Sequence, residues 1–170
     1  MQNRNLLKNL YLTIDPGLNT AIAIWSNNNN LIDTVEFTIN KYKHKKDMTT
    51  EHKLTLMRLF LSIKIGKYLN YINHVHIESV ELWGGSSLSY MAGTRGDLFL
   101  LSYLVGIYFE FFISKQINTY LVSANKWKGQ LSYNALLIRV IEILKLDENN
   151  YSEHTINALG LGLYTQGRFK

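Results

Sequence analysis

Four side chains that could hold a metal ion occur where folding could bring them together. Asp15 ends the segment LYLTID directly before a Pro-Gly pair, and Glu78 stands at the end of HVHIES. His154 and Asn157 are three residues apart at the start of SEHTINALGLGLY. Clustered hard oxygen ligands select Mg²⁺ or Mn²⁺. The chemistry that needs such a cluster is phosphodiester cleavage, in which two ions about 4 Å apart activate water and stabilise the leaving oxygen.

Each of these residues also has a purely structural interpretation. An acid at a strand end is often only a polar terminus, and SEHTINALGLGLY is also typical of the start of a C-terminal helix, whose small residues would let it pack closely against a sheet. A cation site would require a carboxylate where Asn157 stands. An amide oxygen can coordinate Mg²⁺, but it supplies no negative charge and cannot act as a base. The function of these residues therefore depends on which strands are neighbours.

The elements that must position these side chains begin with strands. Three strands are predicted over residues 10–15, 20–25 and 31–39, and Asn27–Asn30 forms a hairpin connection between the second and third. Short turns between consecutive strands predict an antiparallel meander. Two further strands are predicted at 74–79 and 119–122. If the strands that carry Asp15 and Glu78 are neighbours, both carboxylates emerge at the same rim of the sheet.

Helices are predicted between and after these strands. An apolar face at helical spacing is formed by Leu54, Met57, Leu61, Ile65, Tyr68 and Ile72. A nearly all-apolar helix follows at 97–113, another is marked by apolar residues from Leu136 to Leu144, and the last begins at Glu153. The order βββ-α-β-α-β-α-α predicts an α/β fold, a mixed sheet with helices packed on it. That apolar helix is too hydrophobic to face water and must be covered on most sides.

Composition limits the class of protein. A chain of 170 residues predicts a single domain with a sizeable core. It contains no cysteine, which excludes disulfides and thiolate metal sites and fits a reducing compartment. The N-terminus lacks the pattern of a secretion signal, and the most apolar run, 98–113, is short for a membrane span, so a cytoplasmic location is expected. The net charge of +5 and the pI near 9.3 suit a polyanionic partner.

A basic segment reinforces that expectation. Residues 40–53 are predicted to form a loop. This loop contains Lys41, Lys43, Lys45 and Lys46 around His44. Such clusters bind phosphate through counterion release, without regard to sequence. A solvated loop kept polar for solubility is the alternative.

Four blocks of the chain, taken in order, resemble a known family. IDPGLNTAIAIW, HIESV, VSANKWKGQL and SEHTINALGLGLY look like the ordered blocks of RuvC-type Holliday junction resolvases, and most like their small bacteriophage members, over about residues 10 to 165. The resemblance implies an RNase H-like fold, a homodimer, and Mg²⁺- or Mn²⁺-dependent cleavage of branched DNA by paired nicks. If the protein is viral, its location would be the cytoplasm of a bacterial host.

The resemblance also implies roles for the four residues. Asp15 falls on the family's first-strand aspartate and Glu78 on its strand glutamate, while His154 and Asn157 occupy the two ligand positions of the last helix, the second of which is almost always Asp. The asparagine is either a deliberate inactivating replacement, which we favour, or the native residue of a protein that binds junctions without cutting them efficiently. Glu153 is an alternative carboxylate, although an acid in the first turn of a helix is also favoured by the helix dipole.

DNA contacts follow from the same resemblance. Arg95, in the glycine-rich loop after Glu78, and Lys126 and Lys128, in a predicted loop before the helix near Leu136, correspond to basic residues that contact DNA in the family. The family's lysine near the start of that helix is missing, since Ser132 and Tyr133 stand there, and Lys128 is the substitute we expect. Trp83 could stack on an unpaired base or pack within its own loop.

Several functions remain open at this point. The apolar helix 97–113 is either central core or partly a dimer surface, and a C₂ dimer would explain paired cuts in a junction of approximate two-fold symmetry. The leading hypothesis is a structure-selective endonuclease. The alternatives are a junction-binding protein without catalysis and an RNase H-like nuclease acting on RNA or RNA–DNA hybrids. An actin-like phosphotransfer enzyme, suggested by IDPGLNT alone, would need two such domains.

Overall fold

The structure is a computed structural model and describes residues 9–39, 48–79, 97–147 and 150–169. Five strands within these residues form one sheet. They are β1 (Leu10–Asp15), β2 (Asn19–Ser26), β3 (Leu31–Thr38), β4 (Ile72–Ser79) and β5 (Asn118–Ser123), in the spatial order β3-β2-β1-β4-β5. β2 is antiparallel to β1 and β3, whereas β4 is parallel to β1 and β5. The predicted antiparallel meander and mixed sheet are confirmed.

Helices cover both faces of this sheet. They are α1 (Thr50–Ile65), α2 (Asp97–Ile113), α3 (Ala124–Trp127), α4 (Tyr133–Leu144) and α5 (Glu153–Thr165), with a 3-10 turn at Leu69–Tyr71. Side chains of α1 and α2 form a first core on one face. Side chains of α4 and α5 form a second core on the other face. The fold is therefore α/β, as predicted.

The pleat of β1 divides its side chains between the two cores. Leu10, Leu12 and Ile14 belong to the first core, and Tyr11 belongs to the second. Successive side chains of a strand point to opposite faces, so Asp15 points to the face that α5 covers. All six residues of β1 are buried because the strand is central and covered on both faces.

The first helix is shorter than its apolar pattern predicted. α1 begins at Thr50, whose neighbour Thr49 caps it by accepting a hydrogen bond from the His52 backbone N–H at 3.3 Å. It ends at Ile65 with Gly66 as C-cap, and Ile72 already belongs to β4. The prediction of a helix through Tyr68 and Ile72 was wrong, since both residues join the first core from outside the helix.

Two predicted loops are also corrected. The segment 40–53 is helical from Thr50 onward, while residues 40–47 lie outside the described residues. The segment Lys126–Gly129 was predicted to be a loop, but Lys126 and Trp127 end the short helix α3, and Lys128 is its C-cap residue.

Among the described residues, the first core covers one side of helix α2. Leu104, Val105, Tyr108, Phe111 and Phe112 are buried in the first core. The opposite side leaves three large apolar side chains exposed, namely Phe99, Tyr103 and Ile113, with exposed fractions of 62%, 60% and 47%. The prediction that this helix is covered on most sides is met on one side by the described residues. In the described part of the molecule, no helix has the length and apolar character needed to cross a membrane.

Candidate active site at the rim of the sheet

Asp15 and Glu78 lie on the same face and at the same end of the sheet. Ile14 of β1 is in parallel register with Ile77 of β4, and both side chains belong to the first core. Asp15 and Glu78 follow them directly, so both point to the opposite face at the carboxyl ends of neighbouring strands. The sheet thus brings two carboxylates to one rim.

Helix α5 brings His154 and Asn157 to the same place. Its N-terminus is fixed by Ser152, whose side chain accepts a hydrogen bond from the Thr155 backbone N–H at 3.1 Å. His154 Nδ1 lies 2.9 Å from Asp15 Oδ2, and Asn157 Nδ2 donates to the same oxygen over 3.4 Å. A spacing of three residues puts both side chains on one face of the helix, and that face meets Asp15.

Buried contacts hold α5 against the sheet. Thr13 Oγ1 donates to the backbone carbonyl of Ala158 at 2.7 Å and accepts from Trp25 Nε1 at 2.9 Å. A Cβ added at Gly162 would lie 2.3 Å from the Trp25 ring, so only glycine allows this approach. The strands therefore fix the position of α5 along the sheet and its distance from the sheet, and with them the position of His154.

Hydrogen bonds on both sides of its ring orient His154. Asn19 Nδ2 lies 3.4 Å from His154 Nε2, and the Asn19 amide oxygen accepts a hydrogen bond from Thr38 Oγ1. An amide nitrogen can only donate, so Nε2 accepts and the proton of the neutral ring is on Nδ1, facing Asp15. The hydrogen bond to Asp15 raises the pKa of His154 against the opposing effect of burial, and the charges of nearby acids add to the increase.

Glu78 is a carboxyl group that folding makes harder to ionise. Burial raises the pKa of Glu78 to about 7, and the negative charge of Asp15 adds to the increase. The positive charge of Lys128 and a hydrogen bond from Trp127 Nε1 to Glu78 Oε2, at 3.1 Å, act in the opposite direction. Two neighbouring carboxylates at one half-enclosed rim repel each other, and a cation bound there would remove that repulsion.

The Asn157 amide links this acidic rim to a lysine. Lys128 Nζ donates to Asn157 Oδ1 at 3.0 Å, while the amide nitrogen faces Asp15. The oxygen is the atom of asparagine that can coordinate a hard cation, and here an ammonium group already occupies it. As arranged, Asn157 is a bridge between Asp15 and Lys128.

The donor chemistry fits a divalent cation, although the ligands are not yet arranged around one position. The carboxylates of Asp15 and Glu78 are the hard oxygen donors that Mg²⁺ and Mn²⁺ select. Within residues 9–39, 48–79, 97–147 and 150–169, no group of three or more His, Asp or Glu side chains has the arrangement of a metal site. His154 Nδ1 points at the Asp15 carboxylate and is therefore not directed at a shared metal position. Asp15 and Glu78 are the residues that would hold the ion.

The structure describes two of the predicted DNA-binding residues, Lys126 and Lys128. Lys126 is exposed in α3, and Lys128 is half-buried beside it, at the acidic rim. Outside the described residues are Lys41, Lys43, Lys45, Lys46, Trp83 and Arg95. Of the predicted DNA-binding residues that the structure describes, Lys128 contacts the candidate site through Asn157.

Two residues that contact the site were not predicted, and the alternative carboxylate Glu153 acts on His154 through its charge. Trp127 binds Glu78, and Asn19 binds His154. Asn19 lies in the block IDPGLNTAIAIW and Trp127 in the block VSANKWKGQL. Neither residue type by itself indicates a metal ligand or an acid–base group. Glu153 is exposed in the first turn of α5, as expected for an acid that favours the helix dipole.

The fold has relatives among solved structures. No protein-family model matches the chain, and no curated protein matches it. RuvC of T. thermophilus in complex with a Holliday junction substrate is similar, with a TM-score of 0.63 at 13% sequence identity over 95% of this chain and 98% of that chain. A second structure of Thermus thermophilus RuvC gives a TM-score of 0.52 at 13% identity, with the same coverage. The chain therefore has the RuvC-like, RNase H-like fold, a mixed five-stranded sheet with helices packed on it.

Proposed function

We propose that the chain is a single nuclease domain that cuts four-way and other branched DNA by metal-dependent phosphodiester hydrolysis, weakened here by Asn157. The observation that carries this proposal is the convergence of Asp15, Glu78, His154 and Asn157 at one rim. The likeness in fold to a RuvC structure determined with a Holliday junction substrate supports the choice of DNA substrate. We place the activity in the cytoplasm.

Different residues at this rim would bind the metal ion, position its ligands and attract the DNA backbone. A bound Mg²⁺ or Mn²⁺ would supply activation of water and stabilisation of the leaving oxygen. Asp15 and Glu78 would hold the ion, and Glu78 would have to lose its proton to do so. His154 keeps Asp15 in position through Nδ1 and presents Nε2 as a lone-pair acceptor beside Asn19. Lys126 and Lys128 attract the phosphate backbone.

The weak point of this site is the charge missing at Asn157. We expect Asn157→Asp to raise Mg²⁺-dependent nicking of four-way junctions by orders of magnitude, because the restored carboxylate attracts divalent cations. A gel assay with labelled junction, in Mg²⁺ and in EDTA, measures the change. Asn73→Asp is the matched control, since it adds the same charge at the opposite, exposed end of β4. Equal nicking by the chain and its Asn157→Asp variant would remove Asn157 from the site.

A second function, junction binding without efficient cleavage, is favoured by one contact. Lys128 occupies the amide oxygen of Asn157, which leaves two carboxylates for cations. Under this alternative the chain prefers junction over matched duplex in EDTA and does not cut it when Mg²⁺ is added. The same gel with an RNA–DNA hybrid separates a third possibility, since stronger cutting of the hybrid would identify an RNase H-like nuclease for RNA-containing substrates.

A homodimer is the assembly that the proposed activity requires, because paired cuts need two active sites. The exposed side of α2 offers a surface for it, since Phe99 and Tyr103 are about 60% exposed one helical turn apart. Apolar surface of this kind on a folded protein commonly marks an interaction site. We therefore place the two-fold contact on this side of α2.

A further inference from the structure

The amide of Asn157 is held between a cation and an anion that both belong to the protein. Its oxygen accepts from Lys128 Nζ at 3.0 Å, and its nitrogen faces Asp15 Oδ2 at 3.4 Å. An ammonium group can only donate and a carboxylate can only accept, so the amide cannot turn around without losing both contacts. The positive charge is therefore fixed where the last helix meets the acidic rim.

A buried scaffold, and not a free loop, delivers Lys128 to this point. The preceding residue, Trp127, is 3% exposed, and its indole N–H is bound to Glu78. A Cβ added at Gly160 of α5 would lie 2.8 Å from the Trp127 ring, so the indole lies directly against that helix. The backbone of Lys128 is thus fixed relative to both Glu78 and Asn157.

The contacts at the rim leave one position for a divalent ion. Lys128 Nζ already binds the amide oxygen of Asn157, which is the atom of that side chain that could coordinate a cation. Asp15 is buried and Glu78 half-buried, whereas Glu36 and Glu153, whose negative charges also act on His154, are exposed. A second divalent ion beside the first would have to lie close to the lysine, and like charges repel strongly in a partly buried site.

We propose that the Lys128 ammonium permanently takes the place of one of the two cations that metal-dependent phosphodiester cleavage commonly uses, so that the chain binds a single divalent ion held by Asp15 and Glu78. This inference rests on the proposed function only in that it takes the rim to be a cation site. It gives Asn157 a role of its own, because a neutral amide can accept from the lysine while it donates to Asp15. The asparagine and the lysine then form a matched pair.

Titration of the full chain with Mn²⁺, without DNA, tests this directly. Electron paramagnetic resonance of free Mn²⁺ gives the number of bound ions and their affinity. We expect one ion for the unmodified chain and two for the double variant Asn157→Asp, Lys128→Ala. Lys128→Ala alone should bind its first ion at least about tenfold more tightly, because a nearby positive charge is removed. Two ions on the unmodified chain, or none at millimolar Mn²⁺, would overturn the inference.

Two further variants separate charge from folding. Lys128→Arg keeps the positive charge and should keep one ion at nearly unchanged affinity, whereas Lys128→Gln should behave like Lys128→Ala. Lys126 is exposed and lies two residues before Lys128. Lys126→Ala removes the same charge and should leave the number of bound Mn²⁺ ions unchanged. If Lys128→Ala and Lys128→Gln bind Mn²⁺ as the unmodified chain does, while circular dichroism shows them folded, the lysine is not a cation of the site.

Failure of this inference can be told apart from failure of the proposed function. Junction preference in EDTA depends on the DNA-binding surface and not on the number of ions. If the chain binds one Mn²⁺ but shows no preference for branched DNA, the role of Lys128 is supported and the proposed substrate is contradicted. If the chain prefers junctions but binds two Mn²⁺, the proposed substrate is supported and the role of Lys128 is contradicted.

Discussion

At the scale of single residues, Glu78 shows how the candidate site opposes folding. Its carboxyl group is largely buried beside Asp15, and this raises its pKa to about 7 from an ordinary value of 4.5. The folded protein therefore favours the protonated form, and ionisation at neutral pH costs free energy. A site that is ready for a cation is destabilising while the cation is absent.

This cost predicts the effect of Glu78→Gln on the metal-free protein. The stability associated with protonated Glu78 is fully present below pH 4.5 and is lost as the pH rises through about 7. Glutamine keeps an oxygen for the Trp127 N–H and has no such loss. In EDTA we expect the variant to be more stable by about 1–3 kcal/mol at pH 8 and nearly equal at pH 5, as measured by urea unfolding.

The control for this prediction is an acid outside the site. Glu142 is exposed on α4, and Glu142→Gln should change stability little at either pH. If Glu78→Gln and Glu142→Gln give the same difference between pH 5 and pH 8, burial at the rim does not govern the ionisation of Glu78.

Residue types predicted which side chains converge, but not how they bind one another. The position of Asp15 and Glu78 at strand ends and the spacing of His154 and Asn157 were sufficient to propose one cluster. The contact of Lys128 with Asn157 was not predictable, because it depends on the short helix α3, and KWKG contains no pattern for a helix of four residues. Hydrogen-bond partners in this site depend on tertiary packing.

At the scale of elements, α5 depends on two glycines that sequence alone marks only as small residues. Gly160 lies against Trp127 and Gly162 against Trp25. Inside a helix each glycine costs about 1 kcal/mol relative to alanine, so their presence needs a packing reason. The close approach of the indole rings provides it.

Gly162→Ala should therefore destabilise the protein, against the usual helix preference. The new methyl group would lie 2.3 Å from the Trp25 ring, which is fully buried and bound to Thr13. We expect a loss of about 2–4 kcal/mol in the free energy of unfolding, from overpacking and the displaced hydrogen bond. Urea unfolding monitored by tryptophan fluorescence and by circular dichroism measures it.

A double-mutant cycle with Trp25→Phe identifies the cause. The smaller ring makes room for the methyl group, so the double variant should lose at least about 1 kcal/mol less than the sum of the two single losses. Strictly additive losses would show that the two residues do not oppose each other.

Strands were easier to predict from this sequence than helix ends. Each predicted strand lies within two residues of its observed bounds, because turn residues such as Pro16 and Asn27–Asn30 separate them. The end of α1 was misplaced because Tyr68 and Ile72 pack into the same core as the helix. Apolar spacing reports a shared core, and it does not show whether the backbone stays helical.

At the scale of the whole molecule, the fold was predictable from the order of elements together with the four blocks. The similar RuvC structures are only 13% identical to the chain over 95% of its length, so the likeness is one of fold. The number of chains in the assembly does not follow from that order. It depends on which side of α2 remains uncovered, and the hydrophobicity of a continuous apolar run does not reveal this.

The exposed side of α2 predicts the state of assembly. We expect the chain to sediment with the mass of two chains at micromolar concentration, and Tyr103→Lys to sediment as one, because a lysine cannot be buried there without a partner. The measurement is sedimentation equilibrium, with thermal unfolding to show that the variant is folded.

Ile138→Lys provides the comparison for Tyr103→Lys. Ile138 is 56% exposed on α4, which packs on the other face of the sheet. This variant should keep the mass of two chains. A mass of one for the unmodified chain, or of two for Tyr103→Lys, would contradict the proposed contact.

The hydroxyl of Thr13 has a consequence that reaches beyond the sheet. It uses its donor and its acceptor at once, toward Ala158 and Trp25, in a fully buried position. Any sliding of α5 along the strands would leave buried polar groups without partners, at about 1–3 kcal/mol each. Preorganisation of this kind means that little ordering entropy is lost when a ligand arrives. We therefore expect adaptation to different cations or backbones to come from rotation of individual side chains, because a shift of the helix costs more free energy.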